Sequence, residues 1–270
     1  MELHKKILLG SFISVALVSC NTSDNVDEST PQGLTELKAV PQADIPAGFE
    51  NTHMCKDVYL PGTDPRGAVI KSTKWPNGSV ITVGLYGGTA KVRSKVMQYA
   101  QEWSKYANIT FKFVTSGTPQ IRVTFTQGAG SYSYLGTQAL NRPSNSETMN
   151  FGWFDDNTDE VDFRRTTIHE FGHALGLIHE HQNPLANIPW DKQKVYDYYK
   201  GAPNNWDSTK VNINLFTKYS TTQTQYSAYD TQSIMHYPIN SDLTTNGFSV
   251  GWNSDLSSTD KQFIGTVYPK

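Results

Sequence analysis

Cysteine is nearly absent from this chain: 2 of 270 residues, Cys20 and Cys55, with none beyond position 55. A small disulfide-stapled scaffold is thereby excluded, and any domain downstream of residue 55 must be held by its core alone. An excess of one charge is lacking as well, since 23 Lys+Arg stand against 25 Asp+Glu for a formal net charge of -2, and no block of basic residues occurs. Such a surface has no field to collect nucleic acid or an anionic membrane, so nucleic acid is not expected among the partners. After the N-terminus no apolar run is long enough to cross a bilayer, and no internal repeat is visible. The composition is that of an ordinary globular protein in which 7 His are the informative minority.

The first twenty residues read as an address. Lys5 and Lys6 precede an apolar run over residues 7–18, about the length of a signal-peptide core and too short to span a membrane. The run ends Leu17-Val18-Ser19-Cys20, which resembles the lipobox of bacterial lipoproteins, whose cysteine becomes the lipidated first residue of the mature chain. Export from the cytoplasm is expected, either as a bacterial cell-surface lipoprotein anchored at Cys20 or, with an ordinary signal peptide over 1–20, as a secreted protein. Membrane contact is expected only through that lipid. Residues 21–50 are acidic, carry Pro31, Pro41 and Pro46, and offer too little apolar surface to offset their ordering entropy; they read as a flexible tether. Residues 51–70, where Met54, Val58, Tyr59 and Leu60 return, read as a pro-segment, and 71–270 as the main folded domain.

Within that domain, residues 80–85 alternate and are β-branched, which predicts a strand after the Pro76-Asn77-Gly78 turn. Val92, Val96, Tyr99, Ala100, Trp103 and Tyr106 recur at helical spacing and predict an amphipathic helix over 91–107. Further strands are predicted at 109–114, 120–126 and 148–154, the last at a sheet edge, and a short closing helix at 259–268. The order β, α, β, β implies an α+β fold with a mixed sheet backed by a long helix.

The chemistry lies in residues 167–180. His169 and His173 are four apart, so on a helix they stand about 40° apart on one face, one turn above the other, where two imidazole nitrogens can converge on one ion. Glu170 is adjacent on that face, placed to take a proton from a water activated at the ion. Gly176 comes one turn later and permits the left-handed conformation that ends a helix, after which His179 can approach as a third ligand. Three neutral nitrogens leave a fourth position open, the geometry of a catalytic rather than a structural zinc. One zinc ion is the expected cofactor. His181, just beyond, reads as a solvent-facing loop residue.

His169-Glu170-x-x-His173-x-x-Gly176-x-x-His179 resembles the extended zinc signature of metzincin metallopeptidases, and Ser233-Ile234-Met235-His236-Tyr237 looks like their Met-turn. Glu180, directly after the third histidine, makes the pattern similar to the astacin family. The resemblance implies a metzincin-like zincin domain over 71–270: a twisted mixed five-stranded sheet, a backing helix, an active-site helix, and a smaller irregular C-terminal subdomain. It implies that His169, His173 and His179 bind zinc and that Glu170 acts as general base and then acid. Met235 would pack beneath the metal, and Tyr237 would be an additional ligand that swings away to stabilise the tetrahedral intermediate. Glu180 would be buried and meet the mature N-terminus. The implied activity is zinc-dependent cleavage of extracellular proteins or peptides, with an extended substrate pairing with an edge strand near 149–154.

The sequence departs from that family in two respects. Astacin domains usually carry disulfides, and their pro-segments often use an Asp in a Phe-x-Gly-Asp context to occupy the zinc; neither is present here. Instead Cys55 sits in Met54-Cys55-Lys56-Asp57, and a thiolate is an excellent zinc ligand. A latent precursor is therefore expected, with Cys55 capping the metal until an activating protease cuts between about residues 56 and 74. Asp57 is the alternative cap, and a buried, inert Cys55 is the third possibility. Two rival functions stand beside this one: a non-catalytic zinc-dependent lipoprotein module for binding or adhesion, and a matrixin-like metzincin. Glu170, which no ligand role requires, disfavours the first.

Overall fold

A computed structural model describes residues 55–56, 70–201, 204–222 and 224–270. The signal peptide with Cys20, the tether, Asp57 and nearly all of the pro-segment lie outside the described residues, where only Cys55, Lys56 and the beginning of the short helix α1 (Ile70–Thr73) represent the region ahead of 71.

Strand β2 (Val80–Tyr86) forms where the β-branched run predicts it, and its Ile81, Val83 and Leu85 are buried. It pairs in parallel with β3 (Thr110–Phe113) on one side and β4 (Ile121–Thr124) on the other. Parallel neighbours need a crossover. Helix α2 (Ala90–Ala100) supplies it between β2 and β3, with Thr89 Oγ1 capping the first turn by accepting from Val92 N at 3.2 Å. Val92, Val96, Tyr99 and Ala100 are its buried face, as their spacing predicts.

The α-helix stops well short of residue 107. The chain tightens into a 3-10 turn at Trp103–Lys105, which lets fully buried Trp103 donate from Nε1 to Ile168 O at 2.8 Å. A tertiary hydrogen bond from a large aromatic thus overrides the local helical preference.

The sheet continues from β4 to β6 (Met149–Asn150), then to β5 (Ser131–Ser133), and ends at β1 (Cys55–Lys56), in the order β1-β5-β6-β4-β2-β3. Its five strands within the main domain are parallel except for β5, which runs antiparallel to β6; β1 adds a sixth strand, parallel to β5. The expectation that 148–154 lies at the edge is therefore corrected. Residues 149–150 are interior, and the edge of the five-stranded unit is Ser131–Ser133, whose three residues are too few to display an alternation. Buried Asn150 fixes this corner: its Oδ1 accepts from Thr124 Oγ1 and Thr126 N, both at 2.8 Å, and its Nδ2 donates to Gly130 O at 2.7 Å.

Helix α3 (Glu160–Ala174) packs across α2 and the sheet, burying Phe163, Ile168 and Phe171; the Phe171 ring meets Phe111 edge-on at 4.9 Å. Beyond it the chain builds a second, smaller core from α4 (Lys192–Lys200), α5 (Ser208–Val211) and the turns around them. Val195, Tyr199, Trp206, Val211, Leu215, Tyr237 and Leu243 make up this cluster, the C-terminal subdomain the resemblance implied. The closing helix forms as α6 (Ser258–Val267), with a capping box between Ser257 and Asp260. Tyr268 then returns to the end of α3, donating to Leu175 O at 2.7 Å, while Trp75 Nε1 donates to Ala174 O at the same distance. No described helix is long and apolar enough to cross a membrane, and Cys55 is a thiol rather than half of a disulfide.

Candidate metal centre

Helix α3 opens with Asp159 accepting from Asp162 N at 2.9 Å, and Glu160 and Asp162 in its first turn complement the helix dipole. Its last two turns carry the two histidines, His169 and then His173. The helix ends because Gly176 adopts φ +92, allowing Leu177 N to reach back to Gly172 O at 3.0 Å and Gly176 N to His173 O at 2.8 Å. The reversal delivers His179 to the face on which His169 and His173 stand, as the sequence predicted.

The three Nε2 atoms converge. His169 to His173 is 3.2 Å, His169 to His179 is 3.2 Å, and His173 to His179 is 3.1 Å. Nitrogens bound at 2.0–2.1 Å around a tetrahedral ion stand about 3.3–3.4 Å apart, so the triangle has nearly the size zinc requires. The proton positions agree. His169 Nδ1 lies 2.8 Å from Ile234 O and His173 Nδ1 2.8 Å from Leu177 O; carbonyls only accept, so both rings carry their proton on Nδ1 and point an Nε2 lone pair inward. Burial first, then His169 and His236, push His179 well below the ordinary histidine pKa, keeping it neutral. Facing lone pairs at this distance repel unless a cation lies between them, so the donor set fits zinc.

Glu170 is fully buried beside the triad. Donor atoms of Cys55, His169 and Glu170 lie within 4.8 Å of one another, so the thiol reaches the same small volume. Tyr237 is also there: its hydroxyl donates to Cys55 O at 2.6 Å, and its ring lies 4.0 Å from that of His179. Cys55, Arg165, His169, Tyr237 and Trp252 border a recess of about 370 Å³ next to the triad.

Met235 packs against the helix from below. A Cβ built on Gly172 would collide with Met235 Sδ and stand 3.0 Å from Trp103, so only glycine lets the thioether this close. Gly172→Ala is expected to cost about 1–3 kcal/mol of stability by overpacking, read as a lower thermal unfolding midpoint. An unchanged midpoint would show that Met235 has room to move.

Glu180 faces away from the triad. Its Oε1 accepts from Asp230 N and Asn183 Nδ2, both at 2.9 Å, and burial raises its pKa to about 8. It lines a separate recess of about 430 Å³ with Tyr226, Ser227 and Asp260.

One expectation is corrected here. His181 is only 2% exposed rather than solvent-facing: its Nε2 donates to Asn214 O at 2.7 Å and its ring stacks on Tyr237 at 4.7 Å. His181 lies within a short 3-10 turn, Glu180–Gln182, that carries the imidazole inward. Asp260 is a residue whose site role the sequence concealed. It accepts from Ser233 Oγ at 2.7 Å and Ile234 N at 2.9 Å, so one buried carboxylate caps α6 and anchors the turn leading to Met235. The Ser257-x-x-Asp260 spacing reveals the cap but not the tether.

Comparison with known proteins gives consistent relatives. The family model Astacin, which describes a family of peptidases, matches residues 68–268. Zinc metalloproteinase nas-30 of Caenorhabditis elegans is 24% identical over 190 residues, which cover 70% of this chain and 22% of that protein. The chain thus spans about a fifth of that relative's length. Two solved structures of myroilysin are much nearer in sequence. One is 79% identical with a TM-score of 0.74, covering 75% of this chain and 98% of its own. The other is 75% identical with a TM-score of 0.67, covering 88% of this chain and all of its own.

Proposed function

Because the chain belongs to the astacin family of zinc metallopeptidases, we propose that it cleaves extracellular proteins by Glu170-assisted attack of water and is made as a precursor silenced by Cys55. The observation that carries this is the convergence of three Nε2 lone pairs beside a buried carboxylate, with the Cys55 thiol in reach of the same point. The matrixin-like alternative falls to the family match.

His169, His173 and His179 would hold the ion. Bound there, zinc supplies Lewis-acid chemistry, acidifying water and polarising a carbonyl oxygen. Glu170 accepts the proton of the attacking water and passes it to the leaving amine. Tyr237 turns its hydroxyl from the Cys55 carbonyl to the oxygen of the scissile carbonyl and donates to it as charge builds. A substrate backbone takes the edge of Ser131–Ser133 that Cys55–Lys56 cover in the precursor.

Residues 1–20 direct export, 21–50 form a tether, 51–70 are the pro-segment, and 71–270 are the catalytic domain, a division in keeping with a family match that starts at 68. Lipidation of Cys20 would hold the precursor at the cell surface, and plain signal cleavage would release it. An activating protease cutting after Cys55 removes the cap and creates a new N-terminal ammonium. That group then enters the recess beside Glu180 and draws its carboxyl back to the ionised form.

Purified processed enzyme should contain one zinc per chain and hydrolyse casein. Stripping the metal with a chelator should abolish hydrolysis, and adding zinc back should restore it. Enzyme that binds zinc but cuts nothing would overturn the proposal in favour of a zinc-dependent binding module.

A further inference from the structure

The hydroxyl of Tyr229 and both nitrogens of His236 form a chain that ends on the main chain of Tyr237. Tyr229 Oη lies 2.8 Å from His236 Nε2, and His236 Nδ1 lies 2.6 Å from Tyr237 O. The Tyr237 carbonyl can only accept, so His236 donates from Nδ1; in the neutral ring Nε2 then bears a lone pair, and Tyr229 must donate to it. His236 is 4% exposed, so water does not compete for either nitrogen.

Tyr229 is itself fixed by its neighbour. Asp230 N donates to Glu180 Oε1 at 2.9 Å, and Asp230 Oδ2 accepts from Ser257 Oγ at 2.6 Å. The Tyr237 ring is in contact with two neighbouring rings, His179 at 4.0 Å and the stacked His181 at 4.7 Å between centroids.

From this geometry we infer that Tyr229 is a positioning residue: by holding the His236 ring at Nε2, while the Tyr237 carbonyl sets its tautomer, it pins the Tyr237 peptide plane, so that the Tyr237 side chain moves about a stationary pivot. The inference rests on the role proposed above for the Tyr237 hydroxyl. A phenol oxygen lies about 6.5 Å from its own Cα, so a tilt of about 10° at the pivot displaces it by about 1 Å, a misplacement that can cost as much as 10²-fold in rate. Tyr229 touches no reacting atom and contributes only through His236.

The test is histidine tautomer assignment by 15N NMR on the processed, zinc-loaded enzyme, together with steady-state kinetics. His236 of the wild type should show a protonated Nδ1 and an unprotonated Nε2 whose resonance is shifted by the hydrogen bond from Tyr229; Tyr229→Phe should keep the tautomer, which the Tyr237 carbonyl sets, and lose that shift. The same variant should lose about tenfold in kcat with KM within about twofold, because substrate binding does not use this chain. In a Tyr237→Phe background, Tyr229→Phe should change kcat by less than about twofold, since its effect passes through that hydroxyl.

A wild-type His236 protonated on Nε2 overturns the inference even if no variant can be purified. So does a Tyr229→Phe enzyme with an unaltered His236 Nε2 resonance and kcat, or losses that multiply across the two variants. Tyr237→Phe with wild-type kcat would remove the reading of Tyr237 itself, and this inference with it. Rate loss in Tyr237→Phe but not in Tyr229→Phe would remove the inference alone.

Discussion

Glu170→Ala is expected to retain its fold and its zinc while losing about 10⁴-fold in kcat for peptide hydrolysis. The two halves of that expectation have separate physical origins. Glu170 lies in the interior of α3, where alanine is the best helix former, so the helix should survive the truncation. The three Nε2 atoms are oriented by Ile234 O and Leu177 O and by the chain reversal at Gly176, none of which involves the Glu170 side chain. Zinc content should remain one per chain. What disappears is the group proposed to move the proton from water to the leaving amine. Metal analysis, thermal unfolding and a casein assay on one preparation distinguish the outcomes. A variant as active as the wild type would remove Glu170 from the mechanism, and one that had lost its zinc would show the carboxylate helping to hold the site.

Cys55→Ser in the uncut precursor is expected to raise peptidase activity at least about tenfold, without reaching that of the processed enzyme. A serine hydroxyl is a poor zinc ligand where a thiolate is a strong one, so the position open to water is freed. The backbone part of the block survives the substitution. Cys55 and Lys56 still pair with Ser131 and Tyr132, and the carbonyl of residue 55 still accepts the Tyr237 hydroxyl. Part of the cleft therefore stays covered and part of the oxyanion machinery stays engaged, and proteolytic processing should add further activity. Asp57→Ala, made in parallel, should leave the precursor silent. If Cys55→Ser were as latent as the wild type with the same metal coordination, the thiol would not be the cap; activation by Asp57→Ala instead would transfer that role to the carboxylate.

The metal triad was legible in the sequence because its determinants are local. His169 and His173 are tied by helical periodicity, and Gly176 announces the reversal that brings His179 back. The β-branched run at Val80–Tyr86 and the buried face of α2 were legible for the same reason. The misreadings have a common cause in contacts between distant segments. Trp103 leaves the helical path for a carbonyl sixty-five residues away at Ile168. His181 turns inward for Asn214 and Tyr237, and Asp260 serves a turn twenty-six residues before it. The sheet edge was misplaced because β5 and β6 span only three and two residues, too short for period-two patterning to register. Such short strands exist because neighbours and buried polar groups such as Asn150 hold them, which a one-dimensional pattern does not display.

The parallel pairing of Cys55–Lys56 with Ser131–Tyr132 also bears on solubility. A strand edge with unpaired amides and carbonyls is an adhesive surface, and natural sheets keep such edges short, charged or covered. On the zymogen reading proposed above, this edge is covered before processing by the chain's own two residues, and the exported precursor would not offer it to other molecules. After processing the uncovered stretch is the three residues of Ser131–Ser133. On the same reading that is enough to grip one extended substrate backbone and too little to seed a growing sheet between copies of the enzyme.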